Sequence, residues 1–266
     1  MKLYPHHRAS SWVLAIFVLF VASTTQTAFA AKTACPKQYL SGVAPDIQNS
    51  SLAENTRELC YNNFAVMHSG ITLTPLWSAE HLTKRSITNA RKLKRSGKFH
   101  HEVNLPVSER AELNDYAHSG FDRGHMAPSG DMPTLKAQQQ CFTLANMIPQ
   151  NHNNNTEVWE QIESVVRDLA VSSGTLYVIT GPLYQGESIQ RLNGRLLVPT
   201  HIFKLVYDPK KKMGAAYFVK NEPGNDYQIV SISELEKQAG ITFFPKLPDQ
   251  VKQVKLELPK PTPHQN

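Results

Sequence analysis

His125 stands in the run Asp122-Arg123-Gly124-His125-Met126-Ala127-Pro128, and its neighbours are the kinds of residue that make a histidine useful. An imidazole titrates near neutrality and can take a proton from water. The aspartate offers the ring an orienting partner, and the glycine leaves a stretch of backbone with no side chain to block approach. The arginine puts a cation where an anionic transition state would form. Downstream come Asn146-Met147-Ile148-Pro149-Gln150, then Asn155 and Glu163. Magnesium keeps several of its waters and needs few protein ligands, so a neutral amide oxygen suits it. Such an ion neutralises charge on a scissile phosphate and stabilises the leaving oxygen. These residue types together fit phosphodiester hydrolysis. Each also has a plain structural use: a solvated or packed histidine, a helix N-cap at Asn155, a solvated helix face at Glu163.

The elements that must position them follow from periodicity. Asn63 to His68 and Ile71 to Thr83 are strand-like runs flanking Ser69-Gly70, which predicts a hairpin. Residues 84–120 form a long polar excursion rich in cations, among them Arg85, Arg91, Lys92, Lys94, Arg95 and Lys98. A connection of that length inside a domain is usually functional. Cys141 to Ile148 reads as a buried strand. Val158, Trp159, Ile162, Val165, Val166 and Leu169 recur at helical spacing, with Asn155 placed as N-cap and Gly174 as the stop. Leu176–Thr180, Leu196–Tyr207 and Met213–Val219 have the β-branched and aromatic content of strands. Ser231-Ile232-Ser233-Glu234 is a capping box, and its helix ends at Gly240. The order of elements predicts one α+β domain over residues 61–250, with a central antiparallel sheet and flanking helices. Residues 31–60 read as an irregular lead-in, and the proline-rich tail 251–266 as flexible.

Residues 1–30 carry Lys2 and Arg8, a short apolar run from Ser11 to Ala22, and Ala28-Phe29-Ala30. That is the order of a secretory signal peptide, cleaved after Ala30 or Ala31. The apolar run falls short of the ~20 residues of a membrane span. The expectation is therefore a secreted or periplasmic protein without stable membrane association after cleavage. Of 28 basic and 22 acidic residues, Lys2 and Arg8 leave with the leader, so the mature chain stays mildly basic. That charge favours a polyanionic partner without demanding one. Cys141 sits in an apolar run and reads as a buried thiol, whereas Cys35 and Cys60 lie in polar sequence. A Cys35–Cys60 bridge is expected in an oxidising compartment.

The string Asp-Arg-Gly-His at 122–125 resembles the signature of the DNA/RNA non-specific endonucleases, the ββα-metal or His-Me finger family. The likeness continues in order through Tyr116-x-x-Ser119-Gly120-Phe121, Asn146-x-x-Pro149-Gln150, Asn155-x-x-x-Trp159-x-x-x-Glu163, Thr180-Gly181-Pro182-Leu183-Tyr184 and Val230-Ser231-Ile232-x-Glu234-Leu235-Glu236. The resemblance implies a ββα-metal site in which His125 is the general base and Asn155 the sole protein ligand of Mg2+, with Mn2+ as a substitute. It implies that Glu163 holds a water in the ion's outer shell and that Asn146 orients His125 or its surroundings. An arginine of the basic excursion would contact the phosphate: Arg95 first, Arg91 in reserve, with Arg123 inside the motif itself. DNA and RNA would be the substrates. The chain departs from the family in having Asn154 before the ligand and Glu157 after it, so Asn153, Asn154 and Asn155 compete for the register. The Trp159 and Glu163 spacing favours Asn155. On a regular helix eight residues give about 12 Å of rise and 80° of turn, too much for Asn155 and Glu163 to ligate one ion together. Alternatives are a metal-dependent phosphodiesterase for another substrate class, or a catalytically weak nucleic-acid-binding relative. Oligomeric state, a homodimer included, and any inhibitor partner stay open.

Overall fold

The computed structural model describes Met1 and residues 33–262. The signal peptide expected over residues 1–30 lies outside the described residues except for Met1. Strands β1 (Thr56–Cys60), β2 (Phe64–Ser69) and β3 (Thr74–Thr83) lead into helix α1 (Lys84–Ala90). Strand β4 (Asp122–His125), helix α2 (Leu135–Cys141) and strand β5 (Met147–Gln150) precede helix α3 (Glu160–Ser173). Strands β6 (Thr175–Leu183), β7 (His201–Asp208), β8 (Met213–Lys220) and β9 (Gln228–Val230) follow, then helices α4 (Ile232–Ala239) and α5 (Asp249–Gln253). Seven strands form one antiparallel sheet in the order β9-β8-β7-β6-β3-β2-β1, while β4 and β5 pair separately. The architecture is α+β, as the element order predicts.

Side chains alternate across a strand, so the central sheet has two faces. Trp77, Ala79, Ile179, Phe203, Leu205, Tyr207, Ala216 and Phe218 pack on one face against Tyr39, Ile232, Leu235, Phe243 and Phe244. Val178, Ile202, Val206, Ala215, Tyr217 and Val219 pack on the other against Ile162, Val166 and Ala170 of α3. Ser231 and Glu234 form the reciprocal cap of α4, and Gly240 closes it in the left-handed conformation.

Several local expectations are corrected. Cys141–Ile148 is not one strand: Thr134 caps α2 by accepting from the Ala137 N–H, Cys141 ends that helix, and β5 starts only at Met147. A short apolar run does not distinguish helix from strand by period. Pro199 lies in the break of the Leu196–Tyr207 run; Leu196–Leu197 turns back on Arg191–Leu192 and β7 begins at His201. The lead-in is not merely irregular, because Tyr39 and Ala44 enter the core and β1 extends the sheet edge. Cys35 and Cys60 are bridged, and Cys141 is a buried free thiol. The tail expected to be flexible is packed through Pro259. Val251 and Gln253 lie in α5, Leu256 and Leu258 are buried, and the Tyr217 hydroxyl donates to the Pro259 carbonyl at 2.6 Å. The tail's prolines begin only at Pro259, six residues past the end of α5, and do not prevent those leucines from covering the sheet.

Candidate active site

Strands β4 and β5 pair Asp122 with Gln150, Arg123 with Pro149, Gly124 with Ile148 and His125 with Met147. The strands can lie this close because residue 124 is glycine: a Cβ there would sit 2.0 Å from Gln150 Oε1 and 2.6 Å from its Cβ. The ribbon delivers Arg123 and His125 to a cleft of about 510 Å³. Helix α3 and the turn before it supply Asn155, Glu163 and Arg167 to the same cleft, and the segment after α1 supplies Arg95. Five of the six residues singled out from the sequence thus converge. The sixth, Asn146, does not line the cleft.

His125 is nearly buried, with the Phe142 ring edge-on at 4.8 Å and Phe99 at 5.7 Å. Burial, then the charge of Arg95, lowers its pKa to about 3, so the ring is neutral near pH 7. Its Nε2 is buried without a hydrogen-bond partner. The same two aromatic rings carry the arginines: Arg95 lies 5.2 Å from the Phe142 centroid and Arg123 4.5 Å from that of Phe99. Phe99 and Phe142 therefore seat both the histidine and its cations. Arg91, the reserve phosphate contact, is paired with Asp168 on α3 instead.

Asn146 makes no hydrogen bond to the imidazole. Its Oδ1 accepts from the Ser78 hydroxyl at 2.8 Å and the Ala127 N–H at 3.0 Å, while Nδ2 donates to the carbonyls of Ala127 and Cys141. It anchors the chain just beyond His125. Asp122 also differs from the sequence reading. Rather than holding His125, its Oδ2 accepts from Asn155 Nδ2 at 2.9 Å and lies 3.0 Å from His152 Nδ1. That contact fixes the Asn155 carboxamide and leaves its Oδ1 as the open acceptor.

The three consecutive asparagines now separate. Asn153 donates to Glu157 on the exposed side, and Asn154 is buried with both amide atoms used. Only Asn155 faces the cleft. It is not the N-cap; Asn151 is, accepting from the Asn154 N–H at 3.2 Å. Asn155–Trp159 form a π-helical turn before α3. A π turn absorbs one extra residue, so Asn155 and Glu163 are related as if seven α-helical steps apart, within about 20° of one face. Tertiary packing thus aligns two residues that a regular helix would splay.

Glu163 is largely buried, which raises its pKa to about 7 against the opposing charges of Lys204 and Arg167. Arg167 is the residue sequence reasoning missed. It lies 3.3 Å from Asp131, 3.7 Å from Glu160 and 3.8 Å from Glu163. Its one signal was a basic residue four positions after Glu163, one turn along the same helix.

The donors on offer are oxygens, the amide of Asn155 and the carboxylate of Glu163, which suit a hard divalent cation rather than zinc. Among the described residues, the one grouping of three His, Cys, Asp or Glu ligand atoms is Cys35, Glu58 and Cys60, and its cysteines are disulfide-bonded.

The sequence pattern of the DNA/RNA non-specific endonucleases matches residues 44–250. The chain belongs to that family. It is 33% identical over 211 residues to the mitochondrial nuclease EXOG of Danio rerio, covering 71% of this chain and 61% of that protein. It is 35% identical over 192 residues to nuclease C1 of Cunninghamella echinulata var. echinulata, covering 64% and 76%. Among solved structures it superposes on EndoG, captured with EndoGI in a study of EndoG inhibition, with a TM-score of 0.67 and 26% identity over 73% of this chain and 88% of that one. The paired strands and helix of the cleft are thus the ββα unit expected for a DNA/RNA non-specific endonuclease.

Proposed function

We propose that this chain is an exported, Mg2+-dependent endonuclease that hydrolyses phosphodiester bonds of both DNA and RNA. The observation that carries the reading is the meeting in one cleft of a neutral histidine, an asparagine with one open amide oxygen, and the cations Arg95, Arg123 and Arg167. His125 accepts the proton of the attacking water. Asn155 Oδ1 would hold the metal, with Asp122 keeping the amide turned the right way and Glu163 placed to order water there. Mn2+ would fit the same oxygens. When bound, the ion neutralises charge on the scissile phosphate and stabilises the leaving oxygen. Arg95 and Arg123, held on aromatic rings, face the phosphate, and Arg167 keeps Glu163 in place. All these groups address the phosphodiester, which DNA and RNA share and which carries no sequence information.

Incubating purified mature protein with plasmid DNA and with RNA tests the reading. Both should be degraded in magnesium and neither with chelator. Cleavage unaffected by chelator would remove the metal, and cleavage of one polymer alone would remove the sugar indifference.

Export is supported by the leader-like segment and by a disulfide that suits an oxidising compartment. Several relatives are named mitochondrial. The mass of the native mature chain decides: a chain starting at Ala31 or Lys32 and recovered outside the cytoplasm supports export.

A further inference from the structure

Strand β5 belongs to a two-stranded ribbon rather than to the central sheet. The turn that follows it, with Asn151 as N-cap and Asn155 four residues on, is tied to the end of β8 by carboxamides. Asn221, the residue after β8, is the centre of the tie. Its backbone N–H donates to the Thr200 carbonyl at 2.9 Å. Its Oδ1 accepts from the Asn151 N–H at 2.8 Å, and its Nδ2 donates to the carbonyls of Pro149 and Pro199, both at 2.9 Å. Beside it, the Lys220 carbonyl accepts from Asn154 Nδ2 at 2.9 Å, and Asn154 Oδ1 accepts from Gln150 Nε2 at 2.8 Å. A carboxamide has one acceptor and two donor hydrogens, and Asn221 uses all three on backbone groups. An apolar replacement would leave one N–H and two carbonyls without these partners.

We propose that Asn221 is a positioning residue for metal binding. By holding Pro149 and Asn151 against the end of the β7–β8 hairpin it sets where the helical segment begins. That in turn sets where the π turn places Asn155 Oδ1. The inference rests on the reading of Asn155 as the metal ligand. Partners of a metal ligand commonly matter to affinity, and here the link passes through the backbone that carries the ligand.

The test is direct Mn2+ binding to the purified full mature chain, by titration calorimetry, alongside thermal melts in chelator. Asn221→Ala should weaken Mn2+ binding about 10-fold or more, in the range found for partners of metal ligands. Leu235→Ala, on the opposite sheet face, should lower the melting temperature while keeping wild-type Mn2+ affinity. Asn221→Asp retains an acceptor for Asn151 but sets a carboxylate against two carbonyls, so it too should weaken binding, and it decides the matter if the alanine variant does not fold. The half-saturating Mg2+ concentration for cleavage should rise in the same variants, with the rate recovering at high Mg2+. Wild-type Mn2+ affinity in Asn221→Asp, or an equal loss in Leu235→Ala, would overturn the positioning role. Asn155→Ala separates the two levels. Lost binding there with intact binding in the Asn221 variants defeats only this inference. Intact binding in Asn155→Ala defeats the ligand assignment itself, and the positioning role with it.

Discussion

The two faces of the central sheet are built from the same strands and differ in what they bury. The face against α4 is largely apolar, with Trp77, Ile179, Phe203, Leu205 and Phe218 meeting Ile232, Leu235 and Phe243. The face against α3 is apolar along Val178, Val206 and Tyr217 but carries Ser78, Glu80, Thr180 and Lys204, all buried, beneath the cleft. The Lys204 ammonium donates to Thr180 at 2.9 Å and lies 5.7 Å from the Trp159 ring, and its charge acts on Glu80, Asp131 and Glu163. Burying such groups is costly unless they are paired. One face is spent on stability. The other gives up apolar packing to hold charged groups under a site that needs them.

The widest contrast should come from one truncation on each face. His125→Ala should slow cleavage about 10²–10⁴-fold, as for loss of a general base, with little loss of stability. Leu235→Ala should cost about 2–5 kcal/mol of stability and leave the rate intact. Single-turnover rates and urea melts measure both, and a near-normal rate in His125→Ala at saturating magnesium would take His125 out of the mechanism. Next, the buried charges under the cleft should be unequal. Lys204→Met should cost about 1–3 kcal/mol, because it removes the buried donor to Thr180 and the charge that faces Asp131 and Glu163. Glu80→Gln should be tolerated, because burial and Asp131 push its carboxyl well above the usual range and so favour the neutral form. Equal losses in the two variants would show that Glu80 is ionised.

Reducing the Cys35–Cys60 bridge should cost about 3 kcal/mol and spare the rate, because it closes a loop of 25 residues and neither cysteine lines the cleft. A loss of activity at temperatures where the reduced protein stays folded would contradict that separation. Acid stability sharpens the contrast further. Burial drops the His125 pKa from 6.5 to about 3, so the folded protein binds fewer protons there than the unfolded chain. That contribution is fully present above pH 6.5 and is lost as pH falls toward 3. Glu163 has the opposite sign: with its pKa raised from 4.5 to about 7, its contribution is present below pH 4.5 and is lost as pH rises toward 7. Melts in chelator should show His125→Gln losing less stability than wild type on acidification from pH 6.5 to 4, and Glu163→Gln flattening the range 4.5–7. Profiles parallel to wild type would reject these assignments. The smallest effect belongs to the cleft rim. Arg95→Ala should make the log–log salt dependence of DNA binding shallower by about one and weaken binding evenly across sequences. A sequence-dependent loss would mean that this segment reads bases.

The α3 and α4 periods, the capping box at Ser231 and the strand at Met213 were legible because each is a local pattern that burial only confirms. The stretch Cys141–Ile148 was not, because a short apolar run suits a buried helix end as well as a strand. Leu256 and Leu258 were hidden by the prolines around them, which mark where regular structure stops and say nothing about packing. Arg167 was passed over because a basic residue on a helix is usually solvated; its ion pair with Asp131, brought from the distant 3-10 turn after β4, is a contact that no local pattern shows.

By itself, the sequence determined which reactive residue types the chain offers. Asp-Arg-Gly-His, the asparagine run and Glu163 are chemical identities, and their order along the chain was enough to place the family and to point to five of the residues that line the cleft. Tertiary structure decided which atom does what. Asp122 turned from His125 to Asn155, Asn151 rather than Asn155 became the cap, and Arg91 was taken up by Asp168 while Arg95 was left on Phe142. A side chain's role depends on which partner meets it at hydrogen-bond distance. Those partners come from elements as much as 77 residues away, as Asp168 of α3 does for Arg91, so no local pattern could assign them.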